Sequence, residues 1–266
     1  MEDKNGCMGP AYTRNAFTKA VLDKELPDDA LAQEALFGMV PEFRAMAGFE
    51  QNNIHHVYDV WQHTMKALSA AGDDIIVRLA VLFHDIGKPR CYTQDEHGVG
   101  HFYGHGAVSA GMTRRILEDL GFDCATREKV GELVKYHDLN LRGRHKSVRN
   151  WLNRLGEEQF CRLLAIFRCD AAGQNPDYLE EKTASIDRIA AILEEIASKE
   201  GCFGMKDLAV SGHDLILLGV PRGRQVGETL QRLCEAVSSG AVPNERKSLL
   251  DKVGGWLGVH NTQKLM

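Results

Sequence analysis

Apolar residues recur along this chain with the helical period, in segments separated by glycine, proline and asparagine punctuation. Residues 1–48 read as a leader in which Asp28–Phe37 and Pro41–Met46 carry apolar positions at helical spacing and are expected to cover a face of the helices after them. After Gln51-Asn52-Asn53, the stretch His55–Ala71 places Val57, Val60, Trp61, Thr64 and Leu68 on one side of a helix, with His63 near that face and His56 and Asp59 close by. Asp73 is the expected N-cap of the next helix. Its apolar run, Leu79–Phe83, ends abruptly in His84-Asp85, and Gly87 and Pro89 are expected to stop it.

Turn signals at Asp95, Gly98 and Gly100 make Pro89–Gly104 a loop. The loop delivers HFYGHG, and with it His101 and His105, to the start of a helix that reaches Leu120 and is closed by Gly121. The helix predicted over Thr126–Tyr136 turns Val130, Leu133 and Val134 inward and ends in His137-Asp138. A basic loop, Asn140–Lys146, precedes a short helix over Val148–Leu155. Glu157–Ala172 then carries Asp170 at its end. Asn175-Pro176 marks a boundary, beyond which Leu179–Ser198 is a long amphipathic helix and Leu208–Trp256 holds two or three more around VPRGRQVG. No segment is convincing as a strand. The predicted fold class is all-α, a helical bundle followed by a smaller helical C-terminal region, with domains at 1–48, 49–174 and 175–266.

Composition narrows the function classes. The 266 residues are 44% hydrophobic and 26% charged, an ordinary globular balance. A net charge of -5 excludes coating of nucleic acid through bulk charge and leaves room for a local basic patch. The seven cysteines are scattered without a CxxC pair, which fits reduced thiols and not a disulfide framework or zinc ribbon. No apolar run approaches the ~20 residues of a membrane span, and the N-terminus lacks the form of a signal peptide. A cytoplasmic protein is expected, with no membrane partner.

The chemistry lies in the polar residues that end or line apolar helices: His63, His84, Asp85, His105, His137 and Asp170. Burying such groups is costly unless they are paired or bound to a metal. A lone histidine on an apolar face is ordinarily a satisfied core residue. Six such residues, distributed over separate helices, match the way a bundle builds a metal site from inward side chains. Four imidazoles and two carboxylates, with no thiolate, suit an octahedral divalent ion such as Mn, Fe, Co, Ni or Mg. Asp85 is the natural bridge between two ions, which lie about 3.5–4 Å apart in such sites. One or two ions of this kind activate water and polarise a phosphoryl oxygen, so the expected reaction is phosphate-ester hydrolysis. Asp85 and Lys88 are the candidate catalytic residues. His56, His101, Arg142, Arg144, Lys146 and Arg149 are the candidates for holding substrate.

This set resembles the HD superfamily of metal-dependent phosphohydrolases, whose H…HD…D pattern is met by His63, His84-Asp85 and Asp170. The resemblance implies a two-metal site if His105 and His137 also serve, and a one-metal site without them. QNNIHHVYDVWQHT, LFHDIGKP, HFYGH, SVRNWLNRLG, CDAAGQNPDYLEE and SGHDLILLGVPRGRQVGETL are further similar to the HD and tail regions of bacterial CCA-adding tRNA nucleotidyltransferases. The segment ahead of the match carries neither the Gly-Ser pair nor the Asp-x-Asp motif of the nucleotidyltransferase head, so hydrolysis is expected and nucleotide addition is not. The resemblance implies phosphodiesterase activity, on 2′,3′-cyclic nucleotides among other substrates, and phosphatase activity. The alternative is the tRNA- or RNA-binding body of a CCA-adding enzyme whose head is absent or on another chain. Arg222, Arg224 and Arg246, around a glycine turn that can present backbone N–H groups to a phosphate, are its candidate RNA contacts.

Overall fold

A computed structural model describes residues 10–54, 57–141, 143–200 and 204–257. The helices are, in order, α1 (Pro10–Leu22), α2 (Ala30–Met39), α3 (Val60–Ser69), α4 (Ile75–Phe83), α5 (Lys88–Cys91), α6 (His105–Asp119), α7 (Cys124–Tyr136), α8 (His145–Leu155), α9 (Glu157–Gly173), α10 (Leu179–Glu200), α11 (Gly212–Leu217), α12 (Arg224–Ser238) and α13 (Arg246–Leu257). The all-α class holds. The chain forms two compact units: one takes in the described residues of Met1–Asn140 with Cys161–Ile186, the other those of Leu141–Phe160 and Asp187–Met266. Residues 141–160, placed by sequence with the middle domain, group by contacts with the tail.

The first unit is built around α4. Its apolar sequence IIVRLAVLF has no polar face, and all of it from Ile76 to Phe83 is buried. Phe83 meets Phe43 and Phe17 at ring-centroid distances of 5.1 and 6.2 Å, and Trp61 of α3 meets Phe37 and Phe43. The N-cap is Asp74, whose carboxylate accepts from the Ile76 N–H at 2.8 Å. Asp73, the expected cap, instead pairs with Lys24. Arg78 is a buried cation inside this core, 1% exposed. Its guanidinium donates to the carbonyls of Val21, Ala71 and Asp23, which gives the charge the polar partners that burial demands.

Gly87 and Pro89 do not close α4, which ends at Phe83 with His84 as its C-cap. Pro89 stands instead in the first turn of α5, where its missing N–H leaves nothing unsatisfied. The loop after α5 is not purely irregular. It contains a two-stranded antiparallel hairpin, β1 (Thr93–Gln94) and β2 (Gly100–His101), with Thr93 opposite His101. Two-residue strands have no readable alternation, so the sequence pattern could not mark them. Asp95 forms the turn by accepting from the N–H groups of His97 and Val99. Gly100 presses on the preceding loop: a Cβ there would lie 2.2 Å from the Gln51 carbonyl oxygen.

The second unit has its own core, including Leu215, Leu233, Cys234, Leu249 and Val253. A capping box opens α11, where the Ser211 hydroxyl accepts from the Asp214 N–H and Asp214 accepts from the Ser211 N–H. Gly223, at φ 98°, makes the turn into α12 that the sequence placed in VPRGRQVG. Among the described residues no helix is long and apolar enough to cross a membrane.

Candidate metal centre

Six side chains meet in the first unit, brought there by α3, α4, α6, α7 and α9. His63 lies in α3, while His84 and His137 cap the C-termini of α4 and α7. Asp85 follows directly on α4, His105 opens α6 and Asp170 lies in the last turn of α9.

The cluster has two halves that share Asp85. In one, Asp85 Oδ2 lies 3.1 Å from His84 Nε2 and 3.5 Å from His63 Nε2, and Asp170 Oδ1 lies 3.0 Å from His63 Nε2 and 3.5 Å from His84 Nε2. In the other, Asp85 Oδ1 lies 3.4 Å from His105 Nε2 and 3.6 Å from His137 Nε2. Each half also brings two Nε2 atoms to 3.0 Å from one another, His63 with His84 and His105 with His137.

All four rings are oriented by backbone carbonyls. Nδ1 contacts the Gly173 oxygen in His63, Val81 in His84, Phe102 in His105 and Val134 in His137, at 2.6 to 2.8 Å. A carbonyl only accepts, so each Nδ1 carries a proton, and Nε2 is the ring atom turned to the carboxylates, the lone pair that a metal would take. Paired lone pairs at 3.0 Å, beside buried carboxylates, require a proton or a cation between them.

The residues fit a divalent metal on three counts. Donors at about 2.1 Å from one ion and at right angles stand about 3 Å apart, which is the spacing seen in both halves. Asp85 Oδ1, on a residue 1% exposed, has no hydrogen-bond partner among the described residues, and Oδ2 meets the Lys88 ammonium. The charge balance also asks for a cation. Burial pushes the His84 imidazolium down, but Asp85 and Asp170 together outweigh it and lift its pKa to about 10. Burial likewise disfavours the Asp85 and Asp170 carboxylates, yet the facing histidines, with Lys88 beside Asp85, hold both well below the ordinary range. His105 is lowered by burial, with Asp85 opposing and His137 adding to the fall.

Lys88 is buried and held at both sides, its Nζ 2.7 Å from Asp85 Oδ2 and 2.7 Å from Gln51 Oε1. A cavity of about 290 Å³ opens over the cluster, with Lys88, His101, Asp138 and Gln174 in its wall beside Asp85, His105, His137 and Asp170. Among the described residues expected to hold substrate, His101 lines this cavity. Arg144, Lys146 and Arg149 belong to the second unit, while His56 and Arg142 lie outside the described residues. In the second unit Arg224 pairs with Glu228 at 2.8 Å, Arg246 pairs with Asp214 at 2.9 Å, and Arg222 is exposed.

Sequence reasoning passed over three polar neighbours. Gln174 Nε2 donates to Asp170 Oδ2 at 2.6 Å. Asp138 lines the cavity, and Lys182 of α10 is a half-buried cation whose pKa burial lowers against the opposing charges of Asp170 and Asp138. Asp138 follows His137 directly, and that adjacency was the signal in the chain. Lys182 lies on a helix rich in charge and carries no pattern of its own.

Residues 53–173 match the HD domain family. The chain is 31% identical over 227 residues to an A-adding tRNA nucleotidyltransferase of Deinococcus radiodurans, covering 80% of this chain and 50% of that protein. It is 28% identical over 228 residues to a CC-adding tRNA nucleotidyltransferase of Thermus thermophilus, covering 82% of this chain and 50% of that protein. A bifunctional uridylyltransferase/uridylyl-removing enzyme of Ruegeria pomeroyi is 26% identical over 159 residues, 50% of this chain and 16% of that protein. The chain thus spans about half the length of the two tRNA nucleotidyltransferases it matches.

Proposed function

Given that residues 53–173 form an HD domain, we propose that this chain is a metal-dependent phosphohydrolase acting on phosphate esters of nucleotides, as a phosphodiesterase or phosphatase. The observation that carries the reading is Asp85, buried between two histidine pairs with one oxygen toward each. One or two divalent ions, of the Mn, Fe, Co, Ni or Mg type, would be held by His63, His84, Asp85 and Asp170 and by Asp85, His105 and His137. Such ions acidify water and polarise a phosphoryl oxygen.

The chain's own residues do the rest. Two of the three N–H donors of Lys88 point to Gln51 and Asp85, which positions the ammonium and leaves one donor for a phosphate oxygen. The Nδ1–carbonyl contacts hold the four imidazoles rigidly, so little ordering remains to be done when substrate arrives. His101 stands at the rim of the cavity for a further oxygen or a leaving group. Metal analysis of the purified chain, with hydrolysis of a phosphomonoester and phosphodiester panel, tests this. The expected result is bound divalent metal and hydrolysis, both lost in Asp85→Ala. Absence of metal and of turnover in the unaltered protein refutes it.

A second reading is favoured by one observation: the similarity to the two tRNA nucleotidyltransferases runs well past the HD domain into the tail. On it, the second unit helps to hold tRNA through its exposed arginines, Arg222 and Arg224 among them. Filter binding of tRNA across a salt series distinguishes it, because phosphate contacts give an affinity that falls steeply with salt. A flat response without preference for tRNA removes it.

A further inference from the structure

Two residues before His105, the cavity rim carries an aromatic pair for which the metal centre has no use. Tyr103 lines the cavity and is 78% exposed. Its ring lies nearly parallel to the His101 imidazole, with planes 9° apart and centroids 5.3 Å apart. The pair is built rather than incidental. His101 Nε2 donates to Asp95 Oδ2 at 3.0 Å, which leaves Nδ1 as the acceptor facing the Tyr103 hydroxyl at 3.5 Å. Asp95 is fixed in turn by the hairpin N–H groups of His97 and Val99. Beneath, Phe102 packs on Tyr92 and Tyr92 on Phe49, both at 5.5 Å, and Asn52 Nδ2 donates to the Tyr92 hydroxyl at 2.9 Å. The hairpin that presents Tyr103 is therefore anchored on three sides, and its aromatic face costs little to order when a ligand arrives.

We propose that Tyr103, backed by His101, is a stacking platform for the base of a nucleotide whose phosphate lies against Lys88, His105 and His137; this rests on the phosphohydrolase reading. The geometry suits one nucleotide. Tyr103, Lys88, His105 and His137 line one cavity, and the two residues of chain from Tyr103 to His105 separate their Cα atoms by at most about 7 Å, a distance on the scale of a single nucleotide. Every base has a π-face, and stacking on an exposed aromatic ring is tolerant of base identity. The platform therefore selects for the presence of a base more than for its kind. A phosphate ester without a heteroaromatic group would leave Tyr103 in water and gain nothing from it.

The test compares adenosine 5′-monophosphate with ribose 5-phosphate, which keep the phosphate and sugar and differ in the base. Calorimetric binding to the full chain in Mn²⁺ is measured for the wild type, Tyr103→Phe and Tyr103→Ala. The wild type is expected to favour the base-bearing ligand by about 5- to 150-fold. Tyr103→Phe, which retains the ring, is expected to keep that ratio, and Tyr103→Ala to collapse it toward one. Equal affinity of the wild type for the two ligands, or a ratio that survives Tyr103→Ala, overturns the platform and leaves the phosphate site standing. Failure of the wild type to bind either phosphate overturns the phosphohydrolase reading and the platform with it.

Discussion

Gly173→Ala places one methyl group against the fully buried His63 ring. A Cβ at Gly173 would lie 2.8 Å from His63 Nδ1, 3.0 Å from Cε1 and 2.7 Å from the His63 carbonyl oxygen. The Gly173 carbonyl is also the acceptor for His63 Nδ1, at 2.8 Å. To regain ordinary van der Waals separation the imidazole must retreat by about 0.6 Å, in an interior packed too densely to absorb it. Metal coordination tolerates deviations of only about 0.2 Å. The displaced Nε2 and the strained orienting contact should weaken metal binding by about 10- to 100-fold, equivalent to about 1.4–2.7 kcal/mol. Overpacking should cost the metal-free fold a further ~1–3 kcal/mol. The assay is a competition titration of Mn²⁺ or Co²⁺ against a chromophoric chelator, paired with urea unfolding of the metal-free protein. In a His63→Ala background the same substitution should change metal affinity little, because the ring it displaces is gone, while the clash with the carbonyl keeps part of the stability loss. Wild-type metal affinity in Gly173→Ala would refute the role assigned to His63.

Other substitutions separate the parts of the molecule. Asp85→Ala should abolish binding by both halves of the cluster, whereas His105→Ala should spare the half formed by His63, His84, Asp85 and Asp170; metal-to-protein ratios by mass spectrometry check this. Arg78→Met should leave the carbonyls of Val21, Ala71 and Asp23 short of a donor, at about 1–3 kcal/mol for each buried group left unsatisfied. Thermal unfolding should show that loss, and metal titration of the folded variant should show wild-type affinity. Asp214 is held below its ordinary pKa of 3.8 first by the Ser211 N–H, with burial opposing and the Ser211 hydroxyl and Arg246 adding to the fall. A lowered carboxyl stabilises the fold above its unfolded pKa and loses that contribution as pH falls through the folded one. Wild type and Asp214→Asn should therefore differ in stability above about pH 5, and the gap should shrink as pH falls below 3.8 through the lowered folded pKa; a gap independent of pH would place the effect elsewhere.

The legible parts of this molecule were those with a period or a chemical contradiction. Apolar residues at helical spacing located most of the longer helices of both units, though not α1 or the short α5, and His84-Asp85 at the end of an apolar run signalled a buried charge in need of a partner. What escaped depended on distances the chain does not encode locally. The hairpin over 93–101 is too short to alternate, so its role in presenting His101 and Tyr103 came only with the fold. Asp73 and Asp74 are equally good caps by residue type, and the pairing of Asp73 with Lys24 decides between them. Pro89 reads as a stop signal in sequence and serves as a start because His84 already ends α4. The basic residues Arg144, Lys146 and Arg149 belong to the second unit, a grouping by contacts that the sequence pattern does not carry.

The two halves of the cluster differ in how deeply they lie. His63 and His84 are 0% and 1% exposed, while His105 and His137 are 8% and 5% exposed and border the cavity. Were each half to hold an ion, the inner one would meet the cavity, beyond the shared Asp85, only at Asp170, whose side chain is 22% exposed, and the outer one at both of its histidines, so the two would exchange at different rates. A chelator should strip the protein in two phases, the outer position emptying first and the inner one waiting for the helices to breathe. The metal recovered from that inner position would then record the ions present when the chain folded, whatever the buffer held afterwards.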